Sequence, residues 1–175
     1  MSVLQGPRQL MRKINTLVIH HSASPSGSVE EFRKEHKAKG WVDIGYHTVI
    51  GNGNGMLDGK AEQGRPDAKI GAAVFGNNSG KLFVCLVGNF EIAEPTRAQL
   101  ETLGEWLFHR RRMYGVTSIK THRECAISGH GTSCPGHNLQ KKMMDITTWF
   151  FVYYLAYEQG RPYPTLDAYL ETKKG

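Results

Sequence analysis

Thr16-Leu17-Val18-Ile19-His20-His21 is an unbroken run of β-branched, aliphatic and imidazole side chains, closed by Pro25 and Gly27. It predicts a strand buried on both faces and central in its sheet. Leu82 to Val87 repeats the pattern, stopped by Gly88. Tyr46 to Ile50 and Val116 to Thr121 predict two shorter strands, the second leading into His122. Between them the period changes to that of a helix. Ser28-Val29-Glu30-Glu31 has the form of a capping box, and Val29, Phe32 and His36 share a helical face. That helix is expected to stop at Gly40. Thr96-Arg97-Ala98-Gln99 is a second box, and Leu100, Leu103 and Leu107 carry a helix to about Met113, before Gly115. Asn138 is the expected cap of a third helix ending near Gly160.

The polar segments complete the outline. Gly51-Asn52-Gly53-Asn54-Gly55 reads as a hairpin turn, because Asn-Gly pairs accept positive φ. Its spacing does not match a phosphate-binding fingerprint, and no helical pattern follows it. Gly59 to Gly80 reads as a long surface loop, a common place for function. From Asp145 to Tyr157 the apolar residues surround the helix, which predicts burial in the core or against a second copy. Contact with a membrane surface or another anionic envelope layer, aided by Lys141 and Lys142, is the second reading. Arg161 to Gly175, with two prolines, reads as a peripheral tail. The expected fold is α/β (α+β), a single domain whose central mixed sheet is flanked by about three helices. Its parts are an N-terminal extension (1–15), a core (16–140), and a C-terminal helix and tail packing on the same domain (141–175). A monomer is expected.

Composition narrows the partners. The 175 residues carry 22 Lys and Arg against 16 Asp and Glu, a net charge of +6, and 39% are hydrophobic. This excludes a disordered chain, a collagen-like fibre and a membrane-spanning protein. A basic surface favours polyanions such as nucleic acid, envelope polymers or lipid headgroups. No basic stripe with interleaved aromatics appears, so nucleic acid is not an expected partner. Arg110-Arg111-Arg112 falls near a helix C-terminus, where cations offset the dipole. Cys85, Cys125 and Cys134 are an odd set without a disulfide framework, and Cys85 reads as a buried small hydrophobe. The first residues lack a long apolar stretch and a small-residue cleavage site, so synthesis in the cytoplasm without a signal peptide is expected.

Three places carry candidate chemistry. His20-His21 and His122 lie at predicted strand ends, and Cys134 lies in a Gly/Ser-rich loop before Pro135. Two imidazoles and a thiolate with one open position form a known type of catalytic zinc site. A cysteine nucleophile activated by histidine uses the same residue types. Spacing alone leaves both readings open.

Val18-Ile19-His20-His21-Ser22-Ala23-Ser24, Gly45-Tyr46-His47, Leu86-Val87-Gly88-Asn89-Phe90, Thr121-His122-Arg123-Glu124 and Thr132-Ser133-Cys134-Pro135-Gly136 occur in this order. Together they resemble the zinc-dependent N-acetylmuramoyl-L-alanine amidases of the type 2 family, which includes phage T7 lysozyme and the peptidoglycan recognition proteins. The resemblance covers roughly Leu17 to Leu139. It implies one zinc ion held by His20, His122 and Cys134, with Tyr46 as the catalytic tyrosine and Thr132 as a second catalytic group. It implies that His21 faces away from the metal. It implies hydrolysis of the bond between N-acetylmuramic acid and L-alanine in peptidoglycan. An endolysin of a phage or prophage, acting on the wall after release by a holin-type partner, fits the size and charge. The alternative is a recognition module that binds peptidoglycan without cutting it; binding to a phage RNA polymerase, known in one relative, is untested by any motif. Many relatives have Gly-Ala-His where this chain has Gly71-Ala72-Ala73, so a loop histidine that meets substrate is missing. Trp41, Arg65 and Asn77-Asn78-Ser79 are further candidates for the groove.

Overall fold

The structure, a computed structural model, describes residues 12–174. Residues 1–11 of the expected N-terminal extension lie outside that span. In chain order the elements are β1 (Thr16–His21), α1 (Val29–Ala38), β2 (Thr48–Ile50), β3 (Ala61–Gln63), β4 (Lys81–Leu86), α2 (Arg97–Tyr114), β5 (Ser118–Thr121), α3 (His122–Cys125), α4 (His137–Glu158) and α5 (Leu166–Glu171). The strands form one sheet in the order β3-β2-β4-β1-β5. Only the β2–β3 pair is antiparallel, so the sheet is mixed as expected. The middle strand is β4, with β1 beside it and interior. The family of short and long apolar runs thus became a parallel core with one antiparallel edge.

Alternation along β1 divides the molecule. Leu17 and Ile19 enter the main core with Leu82, Val84 and Leu86 of β4, against α2, α4 and α5. Val18 points to the other face, beside Phe83, Val74 and Cys125. Val29 and Phe32 of α1 pack on that second face with Ile44, Val49 and Val87. Both predicted capping residues work: Ser28 accepts from the Glu31 amide, and Thr96 with Gln99 closes a full capping box. Gly115 ends α2 in the left-handed conformation at φ 66°, which glycine adopts without a Cβ penalty.

Several expectations are corrected. The hairpin exists, but its connection runs over 51–60, wider than an Asn-Gly turn, with Asn52 and Asn54 donating to the Pro25 carbonyl. The loop expected from Gly59 to Gly80 contains β3. The cap of α4 is Gly136, with no side-chain cap bond; Asn138 is already inside the helix and donates instead to the Ala93 carbonyl. Among the described residues the sheet carries five helical segments, the two unpredicted ones being the short α3 and α5. The tail is not peripheral: Leu166 and Leu170 of α5 are core residues, and buried Asp167 pairs with Arg97 of α2 at 2.8 Å.

The first reading of the apolar helix agrees with its packing. Leu139, Met143, Ile146, Trp149 and Phe150 of α4 are buried in the main core, while Met144 and Leu155 face outward. Helix α2 comes close to it at Gly104, where a Cβ would stand 2.8 Å from Leu166 and 3.0 Å from the Trp149 ring. Trp149 also donates from Nε1 to the Pro164 carbonyl at 2.9 Å, tying the tail to α4. No helix among the described residues is long and apolar enough to cross a membrane.

Two buried histidines fasten loops to the second face. His47 Nδ1 accepts from the Phe83 amide at 3.0 Å, so its proton sits on Nε2, 3.0 Å from the Lys69 carbonyl. His36 Nδ1 accepts from the Gly45 amide at 3.0 Å, and its ring lies against Trp41. Burial, the largest influence on each, lowers both pKa values to about 4.

Trp149→Ala is expected to lower unfolding stability by about 3–5 kcal/mol, read as a shift in urea midpoint at unchanged slope. The histidines predict an acid-side loss. Their folded pKa values lie below the unfolded value, so the unfolded chain takes up protons first. Stability should be full above about pH 6.5, fall as pH drops, and level off near pH 4. Each histidine contributes on the order of 1–3 kcal/mol to that loss. Urea titrations across this range check it, and a His36→Asn variant should show a shallower decline.

Candidate active site

The site forms at the C-terminal ends of the parallel strands, where open α/β sheets gather their ligands. His20 is the penultimate residue of β1 and points to the face bearing Val18. Its neighbour in register on β4 is Cys85, on the same face. His21 points the other way, as expected: its Nδ1 accepts from the Phe90 amide at 3.2 Å and its ring lies near Phe90. His122 is supplied by α3. Thr121 and Glu124 form a reciprocal capping box at the start of that one-turn helix, which places His122 in its first turn. The Thr-x-x-Glu pattern of 121–124 is the sequence signal from which the unpredicted α3 could have been read.

Cys134 arrives on the loop before α4 and is held by backbone and side-chain bonds. The Arg123 amide donates to the Cys134 carbonyl at 3.0 Å, and Arg123 also donates to the Ser133 carbonyl at 2.7 Å. Thr132 Oγ1 accepts from the Cys134 amide at 3.1 Å. These bonds fix the sulfur beside β1, where the His21 amide points at Sγ from 3.4 Å. One ligand atom each from His20, His122 and Cys134 lies within 4.8 Å of the others.

This donor set fits a zinc ion. His20 Nδ1 stands 3.6 Å from Cys134 Sγ. A nitrogen and a sulfur sharing a tetrahedral zinc, at about 2.1 and 2.3 Å, lie about 3.6 Å apart. His20 Nε2 is buried without a hydrogen-bond partner, so no protein hydrogen bond secures the ring on that side. Burial, reinforced by His122 and His21, keeps the His20 pKa well below its ordinary value. Burial also lowers that of His122. Both rings are therefore neutral near pH 7, with lone pairs available. The Cys134 thiol is pushed up to about 12, chiefly by burial and against the pull of the His21 amide and Arg123. Without a metal it stays protonated and is a poor nucleophile, which weighs against the histidine-activated cysteine reading.

Tyr46 lies beside this cluster. Its ring centroid is 5.4 Å from His20 and 5.4 Å from His36. Burial, with the thiols of Cys85 and Cys134 adding to it, raises the phenol pKa well above 10. Tyr46 is thus a hydrogen-bond donor throughout the neutral range.

A cleft of about 620 Å³ opens onto the cluster through His122 and Thr132. Trp41 forms one wall, as the sequence suggested, and Ala72 to Gly76 with Gly129 to Gly131 form the rest. Arg65 does not join it. Its guanidinium donates to the carbonyls of Ile44, Asp43 and Ile70, bracing the loops behind Tyr46. Asn78 lines the cleft and also holds its loop, its Oδ1 accepting from the amides of Ala73 and Val74. Sequence reasoning missed Phe75 and His130, which line the same cleft; neither sits in a periodic or spaced pattern.

The chain is similar in sequence and in fold to known proteins. A family model described as N-acetylmuramoyl-L-alanine amidase matches residues 10–137, so most of α4 and all of α5 lie beyond it. An endolysin of Enterobacteria phage K11 is 34% identical over 131 residues, covering 70% of this chain and 81% of the relative. The endolysin of Escherichia phage T7 is 31% identical over 135 residues, covering 73% and 83%. Among solved structures, the N-acetylmuramoyl-L-alanine amidase LysC from Clostridium intestinale URNW has a TM-score of 0.69 at 27% identity, covering 78% of this chain and 85% of its own.

Proposed function

The chain belongs to the N-acetylmuramoyl-L-alanine amidase family and is an endolysin-like enzyme of peptidoglycan, and on that premise we propose that it hydrolyses the bond between N-acetylmuramic acid and L-alanine with one zinc ion held by His20, His122 and Cys134. The observation that carries this reading is the convergence of those three ligand atoms, from β1, α3 and the loop before α4, at the mouth of one cleft. We propose further that it acts on the wall as a phage or prophage endolysin after synthesis in the cytoplasm and release by a holin-type partner.

When bound, the zinc ion supplies Lewis acidity that polarises the scissile carbonyl and acidifies a water. The remaining work falls to the chain's own groups. His20 and His122 offer neutral lone pairs. Cys134 would hold the ion as a thiolate, and the His21 amide aimed at Sγ would steady that negative charge. Tyr46, held protonated by burial, donates a hydrogen bond toward the oxygen on which charge develops. Thr132 already accepts from the Cys134 amide, so its hydroxyl proton remains free to donate into the cleft. It contributes a neutral hydrogen bond there, without positive charge.

Digestion of purified sacculi by metal-stripped protein, with and without added zinc, tests the reading. Mass spectrometry should show stem peptides with an L-alanine amino terminus only when zinc is present. Sacculi that are bound but left intact would replace this reading with the recognition module. Cys134→Ser should lower both zinc affinity and turnover by at least about 100-fold. Zinc binding near pH 7 should release about one proton, from Cys134, as calorimetry in buffers of different ionisation enthalpy will report. Tyr46→Phe should reduce kcat by about 10²–10³ while leaving KM nearly unchanged.

A further inference from the structure

We propose that Phe75 and His130 form a sugar-binding wall of the cleft, where the open face of the Phe75 ring stacks on the pyranose ring of the muramoyl unit. The inference rests on the amidase reading and adds the residues that select its glycan part.

Phe75 is 66% exposed, high for a large apolar ring in a loop this well anchored. The turn that presents it is fastened from both sides. Gly76 takes a positive φ of 66°, Asn77 donates from its side chain to the Cys125 carbonyl at 2.9 Å, and Asn78 secures the Ala73 and Val74 amides. The ring is therefore held out toward solvent by its support and has little freedom to fold inward. His130 comes from a different loop, yet the two rings stack at 4.1 Å with only 20° between their planes. Stacking covers one face of Phe75 and leaves the other open. A binding surface ordered before its ligand arrives loses less entropy on association.

The chemistry of the cleft selects the occupant. Its lining is largely apolar, with Trp41, Ala72, Ala73 and Val74 around the stacked pair. The polar side chains of the cleft, Asn78, His122, His130 and Thr132, are few, so a peptide lying across its apolar residues would find few partners for its amides there. A pyranose ring presents a face of C–H bonds that matches an aromatic face, and its N-acetyl methyl is apolar too. The His130 ring makes no side-chain hydrogen bond among the described residues, so its nitrogens are available to sugar hydroxyls. The loop that carries Phe75 has Ala73 and Val74 before it and supplies no imidazole; His130, from the loop before Cys134, brings one to the same wall.

Two uncleavable probes test the wall with the intact, zinc-loaded protein: the N-acetylglucosaminyl-N-acetylmuramic acid disaccharide and the free stem peptide. Phe75→Ala should weaken disaccharide binding by about 5–10-fold, leave peptide binding unchanged, and raise KM on muropeptides by a similar factor with kcat within about twofold. Phe75→Tyr should restore binding, since it keeps the ring face. His130→Ala should weaken the disaccharide in the same direction. The inference is overturned if Phe75→Ala changes neither probe, if it weakens the peptide instead, or if the wild-type protein cuts sacculi but binds no disaccharide. Disaccharide binding that depends on Phe75 in a protein that cuts nothing would support the wall and overturn only the amidase reading.

Discussion

β1 is hydrogen-bonded along both edges, to β4 and to β5, and every one of its residues is buried. A strand held this way cannot slip. A shift of one residue would exchange its two faces, sending His20 into the α4 side and His21 into the cleft, and would bury Val18 where Leu17 and Ile19 now fit. The pairing of β1 with β4 also sets His20 beside Cys85. The backbone of the same strand then serves the site, since the His21 amide points at the Cys134 sulfur while the His21 ring fixes the Phe90 amide. The loop carrying Cys134 is thus docked on the strand that carries His20.

The cluster is held at a local disadvantage. Burying two imidazoles, a thiol and a phenol disfavours all of their charged forms, and His20 Nε2 has no hydrogen bond. Such local conflict persists only where surrounding structure over-determines it. Here the surroundings are the apolar core between the sheet and α2, α4 and α5, and a ring of side chains bonded to backbone. Arg65, His36, His47, Asn77, Asn78 and Thr132 each satisfy main-chain groups in the loops. These bonds carry the same information as regular structure but reach across irregular segments. The cleft is therefore preorganised although most of its lining lies outside helices and strands.

Helices α4 and α5 illustrate the difference between local pattern and packing. Apolar residues all around α4 pointed correctly to burial, yet the segment after it looked like a tail because two prolines interrupt any period. Its role rests on tertiary packing: Leu166 lies against Gly104 beside the Trp149 ring, and Leu170 joins the same core. The missing side chain at Gly104 is the complement of α5, and no feature near Gly104 in the chain announces that partner.

The sequence by itself determined four of the five strands, the caps at Ser28 and Thr96, the stop at Gly115 and the division of β1 into two faces, because these rest on contacts within a few residues and on the two-residue period of an extended chain. The family resemblance carried by five short motifs in order named His20, His122, Cys134, Tyr46 and Thr132, while spacing alone left zinc and a cysteine nucleophile both open. Tertiary structure decided which atoms meet. The separation of His20 Nδ1 and Cys134 Sγ, the exclusion of Arg65 from the cleft, and the stacking of Phe75 on His130 each join residues distant in the chain. Such distances depend on strand register and on how loops are fastened to it, quantities that no local window of residues contains.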